Sequence, residues 1–176
     1  MNGLTSARHV WSYRALFLVL CFCIITLMLL PLGLNDAGLP GPDLLLAVTF
    51  AWLLRQPAVV PIASILIVFL LADFLFQRPP GLWTLLVIVT SESLRRRRLT
   101  MTEFPFLVEW SAFTGAVIGM VILNHLTLWI LMVDLPPLGL TLAHGLVTAA
   151  IYPLVVLVSK FLFGLRKIGP AEAEAL

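Results

Sequence analysis

The residues of this chain that could do chemistry are carboxylates and arginines at the edges of long apolar segments. Asp43, Asp73 and Arg78 fall where such segments begin or end. Ionisable side chains at membrane depth are costly, and they are usually paired or functional. We therefore expect Asp43 and Asp73 to share Arg78 as a structural pair. Two alternatives stay open, a partner-docking role and the handling of a proton or substrate.

Asp43 has a second possible role, because it directly follows Pro42. Proline is favoured in the first turn of a helix, and a carboxylate there meets the positive end of the helix dipole. The pattern therefore also predicts an ordinary helix start at this position.

A second polar set is predicted at the opposite ends of the apolar segments. We expect Glu109 to face Arg55 or the arginine run at 95–98 instead of acting in catalysis. Glu92 precedes that run by helical i,i+3 and i,i+4 spacings, which favours a local ion pair. The run is suited to anionic lipid headgroups as a topology anchor, and docking of an acidic cytoplasmic partner is the alternative. It consists of Arg95, Arg96, Arg97 and Arg98.

Small residues recur every four positions in the fifth apolar segment, at Ser111, Gly115 and Gly119. Such spacing lets two helix backbones approach closely. The close partner is either another helix of this chain or a different protein. In the sixth segment Pro153 predicts a kink.

Motifs for catalysis and for metal binding are missing from the sequence. HExxH, GxSxG and Cys/His clusters with metal-ligand spacing do not occur. His125 and His144 stand alone, and histidines of this kind are more often core or interface residues than ligands. We therefore expect a protein that is not an enzyme and that has no cofactor or metal.

The composition places these residues in a membrane protein. Hydrophobic residues make up 61% of the 176 residues and charged residues only 11%, whereas about a quarter of the residues of a soluble domain are charged. The first apolar run is too long for a signal peptide and lacks a cleavage site. We predict an all-α fold, a compact bundle of six membrane spans at about 15–34, 42–54, 57–76, 80–94, 105–133 and 138–163.

The distribution of basic residues predicts the orientation of this bundle. If the short second segment crosses the membrane, ten of the eleven Lys and Arg lie on one side and only Arg78 on the other. If that segment is re-entrant, three basic residues lie inside and eight outside. Cytoplasmic loops are enriched in Lys and Arg, so the crossing arrangement is favoured. Both the N-terminal segment 1–14 and the tail 164–176 are then cytoplasmic, flanking a transmembrane domain at 15–163. We expect the long fifth span to be tilted, broken near Asn124 and His125, or extended beyond the membrane.

An ordered set of short motifs resembles the MreD family, the rod shape-determining membrane proteins of bacteria. The resemblance covers roughly residues 41 to 167. It rests on Gly41-Pro42-Asp43-Leu44-Leu45-Leu46, Trp52-Leu53-Leu54-Arg55-Gln56-Pro57, Leu71-Ala72-Asp73-Phe74-Leu75, Pro79-Pro80-Gly81-Leu82 and Tyr152-Pro153.

This resemblance implies a six-helix protein of the bacterial inner membrane, similar to the substrate-binding subunits of energy-coupling-factor transporters. It implies direct binding to MreC, and an assembly with the MreB filament, the glycosyltransferase RodA and a penicillin-binding transpeptidase. The expected function is a non-enzymatic scaffold for peptidoglycan synthesis and rod shape. The alternative is a small-molecule-binding subunit of a transporter, with Asp43, His125 and His144 lining a cavity. A membrane enzyme acting on a lipid-linked precursor lacks an identifiable nucleophile or metal site.

Overall fold

The computed structural model describes residues 2–30, 41–102, 106–133 and 137–163, without the side chains of 2–9 and 97–102. Every regular element within these ranges is an α-helix. The predicted tail 164–176 lies outside the described residues. The helices are α1 (Asn2–Leu29), α2 (Leu44–Arg55), α3 (Ile62–Leu75), α4 (Leu82–Thr102), α5 (Phe106–Ile130) and α6 (Leu138–Phe163).

Three stretches of the described chain are long and apolar enough to cross a membrane. They are Val10–Leu29 within α1, Phe106–Ile130 and Leu138–Phe163. Two further apolar helices, α2 and α3, are shorter. Much of the surface of the long helices is apolar and exposed, as expected for side chains that face lipid.

The short helix α2 forms the centre of the molecule. Every residue from Leu45 to Arg55 is buried, and α1, α4 and α6 pack around the helix. The rings of Phe17 and Phe163 lie 5.7 and 5.4 Å from that of Trp52. Twelve residues form a helix of only about 18 Å, shorter than the roughly 30 Å of a bilayer core. Because neighbouring helices surround α2, its ends meet protein instead of lipid.

The helix directions alternate, so the predicted cytoplasmic segments meet at one end of the molecule. The Tyr13 hydroxyl donates to the Phe163 carbonyl over 3.2 Å, joining α1 to the end of α6. The Arg14 guanidinium donates to the Ala58 carbonyl over 3.0 Å, in the turn between α2 and α3. We call this end, where α2, α4 and α6 finish and α3 and α5 begin, the basic end.

The helix boundaries differ from the predicted spans at several places. Helix α1 begins at Asn2 and ends at Leu29, against a predicted span of about 15–34. Helix α3 begins at Ile62 and not at 57, because Pro57 and Pro61 lack the N–H groups that a helix interior needs. Helix α4 continues through the arginine run to Thr102. Helix α5 is unbroken at Asn124 and His125, so of the three alternatives for the long fifth span the break is not observed.

Candidate functional site

Asp43 caps α2 and ties its first turn to α6. Its Oδ1 accepts the N–H of Leu46 at 2.9 Å, and its own N–H donates to Oγ1 of Thr148 at 2.9 Å. Thr148 in turn donates to the carbonyl of His144 in its own helix. A side-chain oxygen at this position satisfies a backbone donor that the helix leaves open. The helix start predicted from Pro42-Asp43 is therefore confirmed.

Asp73 caps a different helix, α4. Its Oδ2 accepts the N–H of Gly81 at 3.0 Å, and the N–H and hydroxyl of Thr84 at 3.2 and 2.7 Å. The carboxylate is fully buried at the positive end of the α4 dipole. Gly81 has φ +85°, a left-handed conformation that side chains disfavour. Thr84 was not predicted as a site residue, although its position three residues after this glycine is typical of a helix start.

The expectation that Asp43 and Asp73 share Arg78 is wrong. No ion pair of Arg78 occurs with the described residues. Its guanidinium carbon lies instead 5.3 Å from the Phe76 ring centroid and 5.7 Å from that of Trp83. Each carboxylate instead caps a helix: Asp43 Oδ1 accepts from α2 and Asp73 Oδ2 from the start of α4. The buried Oδ1 of Asp73 has no hydrogen-bond partner among the described residues. The preceding residue, Gln77, takes a left-handed conformation that ends α3 and sets the direction of the chain at Arg78.

Glu109 and Arg55 form the predicted pair near the basic end. Arg55 Nη2 lies 3.1 Å from Glu109 Oε1, and the two side chains are 7% and 2% exposed. The Tyr152 hydroxyl donates to the same carboxylate oxygen at 2.9 Å, and the Tyr152 ring stacks on Phe113 at 4.0 Å. The cluster therefore joins α2, α5 and α6. Tyr152 was part of the family motif but was not predicted as a partner of Glu109.

Arg95 is held by the protein instead of facing lipid, which corrects its predicted role as a lipid anchor. Its Nη1 and Nη2 donate to the carbonyls of Pro57 and Val60 at 3.1 and 2.6 Å, in the turn between α2 and α3. Glu92 pairs with Arg95 at 3.5 Å and with Arg96 at 3.3 Å, as its spacing predicted. Burial lowers the pKa of the Arg95 guanidinium from its ordinary value, and the Glu92 carboxylate opposes this shift.

The other arginines of the run are placed differently. The Arg96 side chain is 79% exposed and remains available to lipid headgroups or to a cytoplasmic partner. The side chains of Arg97 and Arg98 lie outside the described residues.

The small-residue positions of α5 do not contact another described helix. A Cβ added at Gly115 or Gly119 would meet nothing within 4 Å, and Ser111 is exposed. The close contact between α5 and α6 uses Gly145 instead, where an added Cβ would lie 3.3 Å from Val121. The sequence left two close partners open for Ser111, Gly115 and Gly119, another helix of this chain or a different protein. Among the described residues, no helix of this chain takes that role.

Pro153 interrupts the hydrogen bonding of α6, and a tryptophan replaces the missing donor. Proline has no N–H, so the carbonyl of Ala149, four residues earlier, loses its helical partner. The indole Nε1 of Trp110 in α5 donates to this carbonyl at 2.8 Å. The sequence marked Pro153, but only the packing of α5 on α6 identifies its compensating group.

A cavity of about 350 Å³ opens on the side of the molecule away from the basic end. It lies between the start of α4, the second half of α5 and the first half of α6. His144 lines it as expected, whereas Asp43 and His125 do not. The lining residues are Arg78, Pro79, Leu82, Trp83, Val121, Asn124, Leu128, Leu140, Thr141 and His144.

No family model, curated protein or solved structure matches this chain. Its class therefore follows from its own features, which are helices throughout the described residues and three of them long and apolar enough to cross a bilayer. These features define an all-helical membrane protein.

Proposed function

We propose that this chain is a non-enzymatic scaffold of the MreD type in the bacterial inner membrane, and that it binds MreC. Through MreC it would work with MreB, RodA and a penicillin-binding transpeptidase during peptidoglycan synthesis. The observation that carries the proposal is the open face of α5 at Ser111, Gly115 and Gly119, which no other described helix covers.

The proposal includes six membrane spans with a cytoplasmic basic end. The contact of Asp43 with Thr148 supports a crossing by the second segment. Thr148 lies fifteen residues before Phe163, or about 22 Å along a helix with a rise of about 1.5 Å per residue. The helix that starts at Asp43, about 18 Å long, therefore runs beside α6 and through more than half of the roughly 30 Å apolar thickness of a bilayer. The number of basic residues then supports a cytoplasmic basic end.

The motifs behind the MreD resemblance have physical roles that suit a scaffold. Asp43 and Asp73 cap two helices, and Arg55 and Tyr152 join Glu109 at the interior of the bundle. These contacts hold the relative positions of α2, α4, α5 and α6. A scaffold needs such rigidity because its partners recognise the arrangement of its surface.

The open face of α5 fits a single membrane-spanning helix of a partner. Leu107 and Ile122 are exposed above and below Gly115 on this face and supply apolar contacts. In lipid, helices associate through close backbone approach and packing, because apolar surface gains little by leaving hydrocarbon. We therefore place MreC's transmembrane helix against Ser111, Gly115 and Gly119.

Bulky substitutions on this face test the proposal. We expect Gly115→Leu and Gly119→Leu to reduce co-purification of MreC by about tenfold or more, the affinity change that corresponds to ~1.4 kcal/mol. The amount and thermal stability of the variants should match the wild type, since an added side chain would enter open space. The measurement is quantitative affinity purification from native membranes at equal expression.

Gly145→Leu is the matched control. Its side chain would collide with Val121 inside the bundle, so this variant should lose stability and abundance. Unchanged MreC recovery with both α5 variants, at unchanged abundance, would remove this face from the interface and leave the proposal without its main support.

The second candidate function is a small-molecule-binding subunit of a transporter. The cavity of about 350 Å³ favours it, because ligand sites commonly occupy about 300–1,000 Å³ and combine apolar walls with a few polar groups. A soluble small molecule retained through purification would support this candidate, and MreC bound at the α5 face would support the scaffold.

A further inference from the structure

The cavity contains a positive charge that no described residue neutralises. Arg78 lies on its wall and forms no ion pair with the described residues. Oδ2 of Asp73, the nearest carboxylate in sequence, accepts hydrogen bonds from Gly81 and Thr84, and its Oδ1 does not reach Arg78. The Arg78 side chain is half-buried, and its guanidinium lies near the Phe76 and Trp83 rings. At membrane depth such a charge is stabilised further by a counter-charge. An anionic group in the cavity would supply it.

Polar groups on the opposite walls could hold the same anion. Asn124 of α5 and His144 of α6 line the cavity, and neither side chain hydrogen-bonds to another described residue. Both offer N–H donors, and Arg78 offers the forked donors that match a phosphate. Thr141 uses its hydroxyl hydrogen on the Pro137 carbonyl and keeps its oxygen as an acceptor.

The remaining walls are apolar and lead to the surface that would face lipid. Leu82, Leu128 and Leu140 line the cavity, and Leu140 is 44% exposed. Trp129 and Leu138, also exposed, lie next to lining residues in α5 and α6. A small soluble anion would contact the polar groups only and would leave these apolar side chains uncovered. A hydrocarbon chain attached to the anion would cover them.

We propose that this cavity binds a phosphate-bearing membrane lipid, with the phosphate at Arg78 and part of one acyl chain against Leu82, Leu128 and Leu140. The site is on the opposite side of the molecule from the arginine run of α4. It does not depend on the proposed binding of MreC, because it shares no residue with the open face of α5. The lipid comes from the leaflet away from the basic end.

The test measures ligand binding by the full-length protein in an uncharged detergent, by calorimetric titration. The probes are dihexanoyl-phosphatidylglycerol, which is anionic, dihexanoyl-phosphatidylcholine, which is zwitterionic, and inorganic phosphate. We expect the anionic lipid to bind most tightly. Arg78→Gln should weaken it by about tenfold or more, the size of one lost hydrogen bond to a charged group. Arg78→Lys, which keeps the charge, should lose less.

Two further variants keep the test decisive if Arg78→Gln folds poorly. Lys160→Gln removes a positive charge from an exposed site outside the cavity and the arginine run, and it should bind like the wild type. Leu140→Trp should weaken binding of the lipid, because the larger side chain narrows the apolar part of the cavity while Arg78 stays in place. Equal binding by wild type and Arg78→Gln, equal losses in the Arg78 and Lys160 variants, or inorganic phosphate binding as tightly as the lipid would each overturn the proposal.

Discussion

Glu109 shows how a single buried carboxylate can connect three helices. Its Oε1 receives both the Arg55 guanidinium and the Tyr152 hydroxyl, while the side chain is almost fully buried. A buried pair contributes little net stability relative to apolar residues of the same shape, since both charges lose their hydration. Removal of one partner is different, because it leaves the other charge buried and unpaired.

We expect Glu109→Gln to lower the free energy of unfolding by about 3–5 kcal/mol, the usual effect of breaking a buried ion pair. Tyr152→Phe removes one hydrogen bond to the carboxylate and should lower it by about 1.5–3 kcal/mol. Reversible denaturation in detergent micelles provides the measurement. Glu92→Gln is the control, because its pairs are partly exposed and should contribute about 0–1 kcal/mol. Equal effects of the Glu92 and Glu109 variants would contradict a structural role for the buried cluster.

At the scale of whole helices, α6 depends on α5 for a hydrogen bond that its own sequence prevents. Pro153 leaves the carbonyl of Ala149 without its helical donor, and the indole of Trp110 takes that place. The two residues should therefore be energetically coupled although they lie on different helices.

A double-mutant cycle measures this coupling. Trp110→Phe should lower stability by about 1–3 kcal/mol, because the carbonyl is left unsatisfied in a partly buried site. With Pro153→Ala present, the alanine N–H can bond to the Ala149 carbonyl, so the loss of the indole should matter less. We expect a coupling of about 0.5 kcal/mol or more. Additive effects of the two substitutions would show that the indole does not compensate for the proline.

The helices also show which structural features could be predicted from the sequence pattern. Helix α6 occupies the predicted residues 138–163, because a continuous apolar run bounded by proline defines both its type and its length. Helix α2 was recognisable as a short apolar segment after Pro42-Asp43. Its location at the centre was not, since the identity of its neighbours depends on residues distant in sequence.

For the molecule as a whole, the alternating directions of the helices predict a membrane topology. The basic end carries Arg14, Arg55 and Arg95, and the turn between α5 and α6 lies on the other side. If the basic end is cytoplasmic, single cysteines at the two ends should react with a membrane-impermeant maleimide from opposite sides.

We expect Gly139→Cys to be labelled on intact spheroplasts, and Arg96→Cys only after the membrane is permeabilised. Both positions are exposed, and a Cβ at Gly139 meets nothing within 4 Å, so neither change should disturb the fold. The native Cys21 and Cys23 are replaced by alanine beforehand, and this parent serves as the unlabelled control. Labelling of position 96 on intact spheroplasts would reverse the orientation and remove the cytoplasmic assignment of the arginine run.

Local patterns in the sequence determined the helical class, most helix boundaries, the cap at Asp43, and the ion pairs of Glu92 and Glu109. These features follow from periodicity, charge and short-range spacing, which act within one segment or between the ends of adjacent segments. The tertiary structure alone decided that Arg78 lies in a cavity and pairs with no carboxylate of the described ranges. It also decided that Gly145, instead of Gly115 or Gly119, forms the close helix contact. Both outcomes depend on how the helices rotate about their axes when they pack, and amphipathic patterning is weak in helices that are apolar on nearly every face.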